Sequence, residues 1–504
     1  MSAQRRLAEL VRGTHPGARL DECDEADLER MRASADTVGK ALAAGQSIYG
    51  LTQGFGPLVW FSAESEAEQG SSLLAHLGTG QGRPLAPEAC RLIVRLRLES
   101  MRKGYSAVSP EFWRRLANLW NRGFVPAIPR EGTVSASGDL QPLAYAAQTF
   151  AGAGEAWVRD GEGDWSVKPA ELVLADLGAE PVQWPVREAL AFVNGTGASL
   201  AVALLNQDST VRLVRAVALL TGRVAELLGV NPEPYHPGVA VARGQRGQAE
   251  VAGWVRRELS EGAGRSPHRP LQEPYSLRCA PQVLGAALDQ LRFAGEVLLR
   301  EAEGCTDNPL TYEGAVLHGG NFHAMPVGFC SDQTGLVLHQ VAYLAERQLA
   351  MLCDPATNGG LPPMLTPRPG RGCGLAGVQL SATSFVARIR QHVYPASLTS
   401  LPTNGWNQDH VPMALNGANA VAEAAELAWL AVGSLAVGVA QLTAALGRDA
   451  GTAPPWAALA ELSPPLGADR PMAGEVRAAA RLLSRAAAAP PDRTTTSATP
   501  GGAR

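Results

Sequence analysis

Apolar residues recur at helical spacing along most of the chain, and glycine- and proline-bearing breaks divide that pattern into segments. Residues from about 1 to 45 alternate charged and apolar positions as surface helices do, and Asp21-Glu22-Cys23-Asp24-Glu25 reads as the acidic first turn of one of them. Between about 86 and 122 the run Leu92-Ile93-Val94-Leu96 carries the helical signal, interrupted near Gly104 and Pro110. Helices are predicted over 139–150 and 198–229, and two long Ala- and Leu-rich ones over 328–352 and 416–446. The second of these is apolar enough to suggest a membrane span. Glu423, Glu426 and Gln441, with no basic flank before it, predict a buried bundle helix instead. The glycine-rich stretch 152–165 reads as a surface excursion, and the polar stretch 244–274 as a long loop. From about Ala487 to the end, Pro, Thr, Gly and Arg predict a disordered tail. The expected organisation is mainly α, with an N-terminal domain over 1–197, a helical bundle over 198–486 and the tail over 487–504.

Composition narrows the function classes. Of the 504 residues 46% are hydrophobic and 18% charged, enough for a large core, and the net charge of −4 supplies no electrostatic reason to expect nucleic acid or an anionic membrane as partner. No apolar run follows Arg5-Arg6, so no signal peptide is expected and the cytoplasm is the expected compartment. The seven cysteines are scattered and form no Cys-x-x-Cys, which predicts buried free thiols rather than a disulfide framework or zinc site. His318 and His323 flank a Gly-Gly-Asn-Phe turn with no third ligand nearby, so no metal is expected there.

Candidate chemistry sits in the breaks. In Gly132-Thr133-Val134-Ser135-Ala136-Ser137-Gly138-Asp139-Leu140, small residues let the backbone fold tightly on itself. Gly138 reaches backbone angles closed to other residues, so its amide nitrogen can approach the carbonyl carbon of Ala136. Attack there closes a five-membered ring, and loss of water from the ring and from Ser137 leaves an exocyclic methylidene. The plainer alternative is a helix entry capped by Ser137 or Asp139. Tyr49 lies in the glycine-rich loop Tyr49-Gly50-Leu51-Thr52-Gln53-Gly54-Phe55-Gly56-Pro57, where a phenol can move and do chemistry or simply pack under a turn. His76 in Leu74-Ala75-His76-Leu77 is either a core histidine or a polar group in an apolar pocket, and Asn194 before a long helix could be an N-cap. Arg278, three residues after Tyr275, shares a helical face with it and could grip a carboxylate through its planar fork or form a surface ion pair.

These motifs, in this order over roughly residues 45–450, resemble the aromatic amino acid ammonia-lyases and aminomutases, and most of all their actinobacterial tyrosine ammonia-lyase members. The resemblance implies the ammonia-lyase/fumarase-like fold, a long central helical bundle with an N-terminal domain bearing a 4-methylidene-imidazol-5-one (MIO) group. It implies that the MIO forms autocatalytically from Ala136-Ser137-Gly138 with no external cofactor, and that the protein is a homotetramer whose active sites are shared between subunits. The expected reaction is elimination of ammonia from L-tyrosine to give trans-4-coumarate. Tyr49 is the expected base, with its pKa lowered by the site, and Asn194, Tyr275 and Arg278 the expected catalytic partners. Substrate-binding positions are Gly56, His76, Leu77, Leu140, Gln272, Asn308, Phe322 and Gln408. His76-Leu77 resembles the tyrosine-specific selectivity pair, and Asn407-Gln408-Asp409 the tyrosine and phenylalanine branch. Thr52-Gln53, where Asn-Thr or Thr-Thr is commoner, occurs also among tyrosine aminomutases. The same constellation could therefore serve a tyrosine 2,3-aminomutase or a phenylalanine ammonia-lyase, or, without cyclisation, a helical scaffold.

Overall fold

The computed structural model describes residues 3–62 and 66–488. The chain is mainly α and forms two compact units, each assembled from separated stretches. The first takes the chain up to Thr210, then Ala287–Gln340 and Ala387–Glu426. The second takes Val211–Ala286, Val341–Val386 and the chain from Leu427 on. A division at residue 197 does not describe this arrangement, because helices Gly197–Leu228, Ala280–Glu303, Met325–Cys353, Ala376–His392 and Ala414–Ala445 each contribute residues to both units.

In the first unit, Asp24 opens helix Glu25–Ala43 by accepting the Asp27 N–H at 2.7 Å, with Glu25 and Asp27 in its first turn. Pro87 and Pro110 occupy first-turn positions of helices Pro87–Met101 and Pro110–Asn121, where a missing N–H costs nothing. Leu92, Ile93, Val94 and Leu98 are fully buried there, and they join Leu143, Ala147 and Phe150 of helix Leu140–Phe150 and Leu190 and Phe192 of helix Val186–Val193 in one core. Buried arginines stand among these helices. Arg91 donates to the carbonyls of Trp120 and Ala18 at 3.1 and 2.9 Å and lies 3.8 Å over the Trp120 ring. Arg97 holds the end of helix Val186–Val193, as described below.

Two elements depart from the sequence expectations for physical reasons. The stretch 152–165 lies on the surface as expected, but as paired strands. Strands Glu155–Arg159 and Trp165–Pro169 pair antiparallel, with Trp157 opposite Val167, and Val125–Pro126 adds a third strand. Asp160 closes the turn by accepting the N–H groups of Glu162 and Asp164, while Trp157 packs on the core and donates to the Leu85 carbonyl at 3.2 Å. In the second unit, the supposed loop 244–274 contains helix Arg246–Arg256. Its buried face is Gly247, Gln248, Val251, Ala252, Trp254 and Val255, a helical stripe half of whose members are too small or too polar to carry a strong apolar signal. The cysteines are free thiols, but only Cys90, Cys330 and Cys353 are buried, while Cys23, Cys279 and Cys305 are half-buried and Cys373 is exposed. Helix Ala414–Ala445 is long and apolar enough to cross a membrane, yet 78% of its most apolar window is buried. Ala487 and Ala488 close the last helix as a turn, and 489–504 of the expected tail lie outside the described residues.

Candidate active site

The small-residue loop 132–138 is held from every side in the first unit. Ser135 is fully buried at φ +57°, and each of its polar groups is engaged. Its N–H donates to Thr133 Oγ1 at 3.0 Å, its hydroxyl donates to Asp139 Oδ1 at 2.7 Å, and its Oγ accepts the Leu415 N–H at 3.1 Å. Asp139 precedes helix Leu140–Phe150 but does not cap it with its side chain. Its carboxylate instead accepts from Ser199, both N–H at 2.6 Å and hydroxyl at 2.8 Å. Complete burial pushes this carboxyl above the ordinary carboxylate range, and the three donors pull it back in part. The plain capping alternative for Ser137 or Asp139 is therefore not what the loop uses.

Within that frame Ala136 and Gly138 are bridged across Ser137 in a tight turn. Gly138 has φ +73°, and a Cβ there would stand 2.4 Å from both N and O of Gly195, so no other residue fits without moving that backbone. Ser137 is met by two amides. Gln408 Nε2 donates to its Oγ at 2.8 Å and Asn194 Nδ2 reaches its carbonyl at 3.5 Å. Asn194 ends helix Val186–Val193 rather than capping the next one. It is fixed by Arg97, whose buried guanidinium collects the carbonyls of Ala191, Phe192 and Asn194 at the helix end. Asn194 Oδ1 is buried with no hydrogen-bond partner among the described residues. A dehydrated ring on residues 136–138 fits this cradle, since the turn is already tight, Gly138 is obligatory and an unused acceptor waits beside it.

Tyr49 lies half-buried in its loop, with its hydroxyl oxygen accepting the Gly56 N–H at 2.8 Å. Burial pushes the phenol above its ordinary 10.0, and the Gly56 N–H only partly offsets this. The expectation of a lowered pKa is thus corrected, because the groups facing Tyr49 here desolvate the phenolate without bringing a positive charge to it. Gly56 has φ +56°, and a Cβ on it would meet Asn404 Nδ2 at 2.9 Å. Asn404 belongs to the turn that the Thr403 N–H closes on the Gln408 carbonyl at 3.0 Å, so one turn touches the Tyr49 loop and carries the amide on Ser137. Phe55 meets the Tyr49 ring edge-on at 6.1 Å and stacks on His76 at 6.5 Å. His76 is exposed, not a core histidine, and its Nδ1 faces the Ser72 carbonyl at 3.1 Å. A neutral ring therefore carries its proton on Nδ1 and leaves Nε2 free to accept. Leu77 is buried and Leu140 half-buried in the core beside it.

The remaining sequence candidates divide. Phe322 is half-buried in the turn after His318. Asn308 is buried, and its Oδ1 accepts the Gly319 N–H at 2.8 Å, so it braces that turn. His318 Nε2 accepts the Tyr49 backbone N–H at 3.1 Å, and His323 Nε2 donates to the His410 carbonyl at 3.1 Å. Gln272, Tyr275 and Arg278 belong to the second unit. There the Arg278 guanidinium lies 4.8 Å over the Tyr275 ring, and its Nε is buried without a hydrogen-bond partner among the described residues. Ser135, Asp139, Arg97 and Asn404 were not singled out by sequence reasoning for the roles they take. Their signals are a positive φ at a non-glycine residue, a buried acid and a buried cation, none of which spacing reveals.

Residues 6–464 match the family described as aromatic amino acid lyase. The chain belongs to that family. It is 31% identical to the tyrosine aminomutase from Streptomyces globisporus, with a TM-score of 0.87 over 95% of both chains. The histidine ammonia-lyase from Trypanosoma cruzi is 26% identical, with a TM-score of 0.85 over 97% of this chain and 92% of that one. A phenylalanine aminomutase from Pantoea agglomerans is 25% identical, with a TM-score of 0.87 over 96% of this chain and 97% of that one. These aromatic amino acid lyase relatives share the mainly α ammonia-lyase fold.

Proposed function

We propose that this chain eliminates ammonia from L-tyrosine to give trans-4-coumarate. The observation that carries the choice of substrate is His76, exposed beside Phe55 with Nε2 free to accept. A phenol leaving water must find a partner or lose about 1–3 kcal/mol, and Nε2 is such a partner. Half-buried Leu140 and Phe322 offer apolar surface for the ring, with Leu77 packed in the core behind His76. The β-hydrogen of an amino acid is barely acidic and ammonia is a poor leaving group, so both ends need help. The MIO of residues 136–138, once formed, supplies an electrophile that activates the amine for departure. Tyr49 as phenolate takes the β-proton, and its raised pKa makes that form scarce at neutral pH. Arg278 grips the carboxylate with a guanidinium edge that has no hydrogen-bond partner at Nε, and Tyr275, stacked beneath it, supports the amine.

The working enzyme is a homotetramer with active sites shared between subunits. Supporting this, Phe329, Leu336 and Tyr343 stand exposed seven residues apart on helix Met325–Cys353, and Phe293 is 60% exposed on helix Ala280–Glu303. A second outcome, return of ammonia to the β-carbon as in a tyrosine 2,3-aminomutase, is favoured by Thr52-Gln53 in the Tyr49 loop and by the relative that is a tyrosine aminomutase. Incubation with L-tyrosine, L-phenylalanine and L-histidine, following ultraviolet absorbance and free ammonia together, tests the proposal. Equal coumarate and ammonia from tyrosine are expected. β-Tyrosine with little ammonia would replace the lyase by the aminomutase, and faster turnover of either other substrate would refute tyrosine.

A further inference from the structure

His318 was weighed as a metal ligand, and the proposed chemistry leaves it without a role. Yet its side chain makes a polar contact between the Tyr49 loop and the turn 318–323, beside the apolar packing of Ile48 and Leu51 with Val316. The Tyr49 loop is closed mainly by its own backbone: Leu51 and Thr52 N–H on the Ile48 carbonyl, Gly50 N–H on the Gln53 carbonyl, Gly54 N–H on the Phe61 carbonyl, and the Ile48 N–H on Thr52 Oγ1. The Tyr49 N–H leaves the loop, and its acceptor is an imidazole 269 positions away, His318 Nε2 at 3.1 Å. The imidazole is itself placed from behind, because the neighbouring Gly319 N–H is held by Asn308 Oδ1 at 2.8 Å. Accepting at Nε2 requires that nitrogen to be bare, which an imidazolium cannot provide.

We propose that His318 is a positioning residue for Tyr49: its neutral imidazole latches the backbone of the proposed base to the turn 318–323, and protonation releases the latch. This rests on the reading of Tyr49 as the base only for its effect on turnover, not for the latch itself. The groups facing His318 agree with a neutral ring. Partial burial and the positive Arg187 both hold its pKa below the ordinary 6.5. Arg187 is itself paired with Asp307 at 2.5 Å and bound to the Ser106 and Pro309 carbonyls, so its charge is fixed in place. The Tyr49 phenol, in the loop that His318 holds, is pushed above its ordinary 10.0 and stays neutral throughout the range in which a histidine titrates. The sign follows directly. A depressed folded pKa means that the bond stands above it and is lost as pH falls through it.

The test is amide hydrogen exchange of the segment 48–56 in the full-length protein, corrected for intrinsic rates, with steady-state kinetics alongside. His318→Phe keeps a ring and removes the acceptor; His318→Gln keeps an acceptor that does not titrate. Loss of one neutral hydrogen bond lowers protection by roughly 3- to 10-fold. That loss is expected in the Phe variant, with most of it restored in the Gln variant. Wild-type protection should fall on acidification through a range below the ordinary 6.5 of histidine, while that of the Gln variant does not. The Phe variant should lose kcat more than KM changes. Unaltered protection in the Phe variant, or the same acid response in wild type and Gln variant, overturns the latch. If the Phe variant does not fold, the acid responses of wild type and Gln variant decide alone. Exchange that follows the expectation in a protein that turns over no aromatic amino acid upholds the latch and overturns the proposed function instead.

Discussion

Replacing Asp139 by Asn tests whether the frame around the tripeptide, rather than the tripeptide alone, produces the electrophile. The carboxylate accepts three hydrogen bonds on two oxygens: the Ser135 hydroxyl on Oδ1, and the Ser199 N–H and hydroxyl on Oδ2. Asparagine keeps one acceptor oxygen. Turned toward Ser135, that oxygen would set its NH2 against the Ser199 N–H, donor against donor. The other orientation keeps both Ser199 bonds and presents NH2 to Ser135 Oγ, which already accepts from Leu415. The Ser135 O–H is then left without its acceptor, and the Ser199 bonds lose their charge assistance. One lost bond to a charged group costs about 1.5–3 kcal/mol, and the weakened pair adds about 1 kcal/mol. Removing the charge returns part of this, because burial disfavours the carboxylate, as the direction of its pKa shows. The net expectation is a destabilisation of about 1–3 kcal/mol, below the threshold of unfolding for most proteins but concentrated on Ser135 and the bridge between Ala136 and Gly138. The assay is chemical denaturation together with intact mass. The Asn variant should fold, lose midpoint denaturant concentration and contain a mixture of cyclised and uncyclised chains. Wild-type stability with complete cyclisation would refute the reasoning and return Asp139 to the role of an incidental buried acid.

Three further substitutions address the proposed roles. Tyr49→Phe should remove nearly all turnover while fold and oligomer persist, and wild-type turnover should climb with pH in the alkaline range because burial raises the phenol's pKa; a near wild-type rate in the mutant would assign proton abstraction elsewhere. Arg278→Lys should raise KM for tyrosine by roughly tenfold or more despite keeping the charge, since an ammonium cannot reproduce the planar fork; unchanged kinetics would make Arg278 purely structural. His76→Phe should lower kcat/KM for tyrosine and raise it for phenylalanine, inverting the preference, whereas an unchanged ratio would remove the main support for tyrosine.

How far the molecule was legible depended on what each residue does. The long Ala- and Leu-rich helices were legible because their buried faces are chemically apolar. Helix Arg246–Arg256 was not, because Gly247 and Gln248 form part of its buried face. The hairpin around Asp160 was hidden for a related reason: its glycines signal a turn, while the strands are short and only Ala156 is fully buried. At the candidate site, Ala136, Ser137, Gly138 and Tyr49 could be proposed from sequence because the motifs around them resemble those of the family, the tripeptide alone being a weak signal. Arg97 and His318 act on backbone groups, donating or accepting where any residue's carbonyl or N–H stands, so no side-chain pattern announces these roles. The pKa of Tyr49 was misjudged because spacing says what a residue is and not how much water it loses.

The account rests on a covalent change in the chain itself, and the most direct measurement is the intact mass of the purified protein with a digest covering residues 136–138. Closure of the ring between Ala136 and Gly138 and dehydration of Ser137 predict a mass about two waters below that encoded, localised to this peptide, with the deficit abolished in Ser137→Ala. A wild-type mass equal to the encoded value would contradict the account at its centre.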